Sequence, residues 1–151
     1  MTTRHDSSLP NGFSIALSPQ HAHEPGLRIA PGLEHPLATC HCGAVCIALA
    51  SPPSEITACN CSLCASYGAL WAYYTAEDIL VAAGGHTETY ACNGQRVDFH
   101  RCKVCGCLTH WVPRDPRRGR RGINARLLPR QWLEHARLRR RDGANGGEYL
   151  D

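Results

Sequence analysis

The sequence has no run near the roughly 18–20 consecutive apolar residues that a membrane-spanning helix needs. Its first residues, Met1 to Pro10, hold no apolar stretch behind a basic start. A membrane or exported protein is therefore not expected, and a cytoplasmic one is. Aromatic residues make up only 7% of the chain, while Gly and Pro contribute 14 and 10 residues. That balance argues against an all-helical bundle and for short strands joined by turns. No segment recurs at a period of about 20–50 residues, which argues against solenoids and propellers.

The 151 residues, 43% hydrophobic, suffice for one core. Residues 1–36 are rich in Pro, Gly, Ser and His without apolar periodicity and read as an irregular arm, with His21 and His23 solvated. From Thr39 onward, turn residues separate short β-like runs: Ala44–Ala50, Leu70–Thr75, Asp78–Ala82, His86–Ala91, Arg96–Arg101 and Leu108–Val112. In Arg96–His100, Val97 and Phe99 fall on one face; from Cys107 to Trp111, Cys107, Thr109 and Trp111 do. Together these predict an all-β, antiparallel domain. A helical turn or two is expected after Pro129, over Arg130–Ala136, and the end from Asp142 to Asp151 reads as frayed.

Ten cysteines in a chain read as cytoplasmic point to metal binding or thiol chemistry rather than disulfides. Eight lie in three groups: Cys40-His41-Cys42, Cys59-Asn60-Cys61-Ser62-Leu63-Cys64, and Cys102-Lys103-Val104-Cys105-Gly106-Cys107. Zinc favours tetrahedral thiolate sets, and a structural site draws two ligands from each of two knuckles. Cys40 and Cys42, followed by Gly43, pair with Cys102 and Cys105, followed by Gly106, into a closed four-thiolate site. Cys59, Cys61 and Cys64 remain as a second set with one coordination position free for a ligand that carries sulfur. Cys107 reads as an inert buried thiol, the alternative being a fourth ligand for that trio; Cys46 and Cys92 read as packing residues.

The arrangement resembles the glutathione-dependent formaldehyde-activating family, shared by centromere protein V-like proteins. Cys40–Val45, Cys59–Cys64, Cys102–Gly106 and Ile123-Asn124-Ala125-Arg126-Leu127-Leu128 carry the likeness, which runs from about Thr39 to Ala144. The resemblance implies a β-tent stapled by zinc knuckles over residues 37–144, with 145–151 as tail. It implies two zinc ions per chain, one structural and one labile, the labile one on catalytic Cys59, Cys61 and Cys64 beside a glutathione site. It implies a carbon–sulfur lyase that joins formaldehyde to glutathione or another small thiol. Partners are then a small thiol and an aldehyde, and a homo-oligomer is compatible with this reading. Thiolate attack on an aldehyde builds charge on the carbonyl oxygen, for which His110 or a water is the candidate donor. Arg96, Arg101 or Arg126 would hold the carboxylates of glutathione, Arg126 being the one inside a family-like motif. Trp71, Tyr73 and Tyr74 are candidates for the pocket wall.

Charge offers a second reading. Residues 113–151 carry a balance of +6 and the rest −3. With Arg117-Arg118-Gly119-Arg120-Arg121 this would suit a zinc-stabilised binding module for nucleic acid or protein. The run has no interleaved aromatics, which disfavours nucleic acid.

Overall fold

The computed structural model describes residues 37–92 and 94–151, so the expected irregular arm, with His21 and His23, lies outside the described residues. Its strands are β1 (Leu37–Thr39), β2 (Cys46–Leu49), β3 (Glu55–Cys59), β4 (Leu70–Tyr74), β5 (Ile79–Ala82), β6 (Thr87–Tyr90), β7 (Val97–Cys102), β8 (Leu108–Pro113), β9 (Arg121–Asn124), β10 (Arg137–Asp142) and β11 (Glu148–Tyr149). A short helix, α1 (Ser62–Tyr67), separates β3 from β4. The six runs predicted as extended are all strands, with ends moved by one or two residues. The stretch after Pro129 closes only a 3-10 turn, Arg130–Trp132.

Two sheets result, a small one in the order β1-β2-β5 and a large one in the order β11-β10-β3-β4-β9-β8-β7-β6. Neighbours pair antiparallel with one exception: β10 runs parallel to β3, Arg141 opposite Cys59. The antiparallel expectation is corrected there, because β10 returns to β3 after a long excursion through β4 to β9 rather than by a hairpin. The tail predicted to fray is also corrected: Glu148 and Tyr149 form β11 against Asp142 and Arg141.

Ala38, Ile47 and Leu49 of the small sheet share one core with Ile56, Ala72 and Ile123 of the large one. Cys40 and Cys102 are buried in the same core. Two local devices shape the large sheet. A Cβ at Gly122 would sit 2.0 Å from Trp111 Nε1, so the Trp111 indole lies across β9 only because that position is glycine. Between β7 and β8 the register slips after His100, and Thr109 Oγ1 donates to the His100 carbonyl at 3.0 Å within that irregularity. No helix among the described residues is long and apolar enough to cross a membrane.

Candidate metal centres and their surroundings

The turn between β1 and β2 is a tight knuckle. Gly43 adopts φ 80°, its N–H bonds to the Cys40 carbonyl at 2.9 Å, and the Val45 N–H donates to Cys40 Sγ at 3.3 Å. The turn between β7 and β8 repeats the design: Gly106 adopts φ 74° and its N–H bonds to the Cys102 carbonyl at 2.9 Å. The Sγ atoms of Cys40, Cys42, Cys102 and Cys105 all lie within 4.8 Å of one another. The Cys40–Cys42 and Cys42–Cys102 sulfur separations are both 3.6 Å. Zn–S bonds of about 2.3 Å in a tetrahedron place sulfurs about 3.8 Å apart, so the four thiols fit zinc.

Without metal these thiols compete for few stabilising contacts. The Ala44 N–H favours the Cys42 thiolate, but burial and the neighbouring thiols push Cys42 up to about 12. Against desolvation, the N–H groups of Cys107 and Cys42 and the adjacent thiols pull Cys105 down to about 6.

The second set forms where β3 ends and α1 begins. Cys59 closes β3, Cys61 is the N-cap residue of α1, and Cys64 lies in its first turn, placing three Sγ atoms within 4.8 Å of one another. Gly68, in the left-handed conformation at φ 59°, ends the helix after six residues. Desolvation opposes ionisation of Cys61, but the Cys64 N–H, the thiols of Cys64 and Cys59 and the Leu63 N–H outweigh it and lower its pKa. Burial pushes Cys64 up. The set fits a metal bound through three thiolates.

An aromatic wall stands against this trio. Trp71 is buried and its Nε1–H donates to Cys64 Sγ at 3.2 Å. Trp71 packs with Trp111 and Phe99, and Trp111 with Tyr73; these rings, like Cys59 and Cys61, adjoin the buried cluster that holds Trp71 and Cys64. Tyr74 points elsewhere, as strand alternation requires, and its hydroxyl donates to the Ser51 carbonyl at 3.0 Å. The Arg120 guanidinium stacks on the Tyr73 ring at 3.6 Å. Burial raises the Tyr73 phenol to about 12, so it is protonated at neutral pH.

Other candidates resolve differently. Arg126 Nε donates to the Gly68 carbonyl, bracing the end of α1. Arg101 pairs with Glu88 at 3.0 Å. Within the basic run Arg117 pairs with Asp115 at 3.0 Å, so that residue and the stacked Arg120 are engaged within the fold. His110 does not suit the role of proton donor. It is buried, bonds to Thr109 Oγ1 at 2.9 Å and stacks on His100 at 4.2 Å. Burial, followed by His100 and Arg121, lowers it to about 3, leaving it neutral. Cys107 packs with the four-thiol core and is shaped by the His41 N–H and by Cys105, so it does not close the trio. Cys46 is buried beneath the first knuckle, its thiol reaching the Gly43 carbonyl at 3.5 Å.

One neighbour of the trio escaped sequence reasoning. Gly143, in the turn after β10, lies so close that a Cβ there would be 2.3 Å from Cys59 Sγ. The Gly-rich composition of that turn signals a bend and carries no information about what the bend approaches.

The profile of the family described as glutathione-dependent formaldehyde-activating enzyme matches residues 35–135. The chain belongs to that family. A crystal structure of a Rhodobacter sphaeroides protein is similar at 28% identity with a TM-score of 0.55, over 68% of this chain and 98% of that one. No curated protein matches the sequence.

Proposed function

We propose that this member of the glutathione-dependent formaldehyde-activating family is a zinc-dependent carbon–sulfur lyase. Its reaction would join a small thiol, with glutathione as the first candidate, to formaldehyde or a related aldehyde, and would reverse that addition. The observation that carries the reading is the pairing of two unlike donor sets, four thiols closed on one another and three beside a wall of aromatic rings. A metal with three protein ligands would supply an exchangeable position that binds a thiol and lowers its pKa.

The residues of the chain then divide the work. Cys59, Cys61 and Cys64 hold the metal, and the Trp71 N–H, by donating to Cys64, tempers the charge on one ligand. Trp71, backed by Trp111 and Phe99, would keep bulk water from one side of the reacting sulfur. The protonated Tyr73 phenol and the Arg120 guanidinium are the donors beside that wall, suited to a developing alkoxide and to a carboxylate of the thiol. Arg126 acts at a distance by holding α1.

Thermal shift with glutathione, other small thiols and duplex DNA, followed by NMR detection of the hydroxymethyl thioether from glutathione and formaldehyde, tests the proposal. Stabilisation by thiol and adduct formation above the uncatalysed rate, with Tyr73→Phe slower at unchanged zinc content, is the expected result. Stabilisation by DNA alone would replace this reading with the binding module.

A further inference from the structure

The last strands of the chain lie beyond residues 35–135, over which the family profile matches. They nevertheless reach the metal ligands. β10 pairs in parallel with β3 so that Arg141 is opposite Cys59, and the turn that follows runs along the trio. Asn60, between two ligands, ties that turn down. Its N–H bonds to the Arg141 carbonyl at 3.2 Å, its Nδ2 donates to Asp142 Oδ1 at 2.8 Å, and its Oδ1 accepts from the Ala144 N–H at 2.9 Å. Asp142 also accepts from the Asn145 side chain at 3.1 Å, which stiffens the turn.

Gly143 sits at the closest approach. A Cβ built there falls 2.3 Å from Cys59 Sγ and 3.2 Å from Cys61 Cβ. Carbon and sulfur in contact need well over 3 Å, so one of them would have to move by about 1 Å or more. The backbone at Gly143 lies outside the left-handed region, unlike Gly146 at φ 119° and Gly147 at φ 88°. Alanine is therefore acceptable to the backbone at 143, and space alone demands glycine.

From this the geometry points to the β10–β11 turn as a wall of the trio's metal pocket. Gly143 is its positioning residue: the missing side chain lets Cys59 place its sulfur beside those of Cys61 and Cys64. Asn60 is the clamp that holds the wall at that distance. The inference rests on the trio holding a metal, as proposed above.

The test uses the full chain with cobalt(II) in place of the labile metal, reading the visible thiolate–cobalt spectrum and the rate of metal release to a chromophoric chelator. Gly143→Ala should lose or alter the cobalt signal of the trio and release that metal about 10–100-fold faster. The four-thiol metal and the melting temperature should stay close to wild type. Ala144→Ser, in the same turn and exposed, should behave as wild type. Asn60→Ala should speed release, and adding it to Gly143→Ala should recover part of the loss, because an untied turn can retreat from Cys59. A Gly143→Ala protein with wild-type spectrum and release rate overturns the inference. If Gly143→Ala does not fold, an Asn60→Ala protein with wild-type release does the same. A wild-type protein that takes only one metal would instead remove the proposed function, and this inference with it.

Discussion

Trp71 is the residue through which the aromatic wall and the thiol trio touch, since its N–H donates to Cys64 Sγ. Trp71→Phe would keep most of the ring packing and remove that donor. A hydrogen bond to a charged group contributes about 1.5–3 kcal/mol, so the labile metal should leave roughly 10-fold faster or more, a difference that chelator-trapping kinetics would read. The sequence offers Trp71, Tyr73 and Tyr74 alike for the wall, and only β4 sorts them, Trp71 and Tyr73 on one face and Tyr74 on the other. His110, a candidate donor by its chemistry alone, makes a buried structural contact instead, because the sequence displays an imidazole and conceals its burial. Its pKa falls from the ordinary 6.5 to about 3, so between those values the unfolded chain binds a proton that the folded one refuses. Its contribution to stability is therefore complete above about pH 6.5 and drains away as the pH falls toward 3; the lowered pKa of His100 acts in the same direction. At matched metal content, His110→Gln should show a shallower fall in melting temperature between pH 7 and pH 4.5 than wild type, and equal slopes would contradict the assignment.

Among the elements, the two thiol sets do different structural work. The four-thiol set joins the β1–β2 turn of the small sheet to the β7–β8 turn of the large one, so one metal there would fix the sheets to each other. The trio spans only the end of β3 and the first turn of α1. Structural zinc sites contribute about 10–16 kcal/mol of apparent binding free energy, as much as the whole stability of a typical domain, about 5–15 kcal/mol. Cys102→Ser should therefore unfold or aggregate the protein, whereas Cys61→Ser should leave a folded protein with one zinc; circular dichroism and metal analysis of the two variants check this, and equal loss of fold would contradict it. The knuckles were legible because cysteine spacing and a following glycine state the ligand geometry directly. Strand β10 was not: Arg137-Leu138-Arg139-Arg140-Arg141-Asp142 offers almost no apolar alternation. It is held by β3 and β11 on either side and by the Arg139 guanidinium stacked on Tyr149 at 3.9 Å. A strand held by backbone pairing and cation–π contact leaves little trace in a hydrophobic pattern.

For the whole molecule, metal content and pH are linked, because each thiol that binds metal must first give up its proton. In both sets most of the shifts make that harder: Cys40 and Cys64 are raised chiefly by burial, Cys42 is raised to about 12 by burial and its neighbours, and Cys105 and Cys61 are the ones pulled down. Metal uptake thus releases several protons, and falling pH favours release of the ion. The four-thiol set, with Cys40 and Cys102 buried, has one more ligand and no position for water, so its ion should persist to lower pH than that of the trio. The expected titration of a fully loaded protein starts at two zinc per chain and falls in two steps. The first empties the trio while far-UV dichroism is unchanged, and the second coincides with loss of fold. A glutathione excess should delay the first step and leave the second in place, since a ligand stabilises only the state that binds it. Native mass spectrometry across the titration would resolve the two stages; release of both ions in a single step together with unfolding would show that the two sets act as one structural unit and that the trio holds no exchangeable metal.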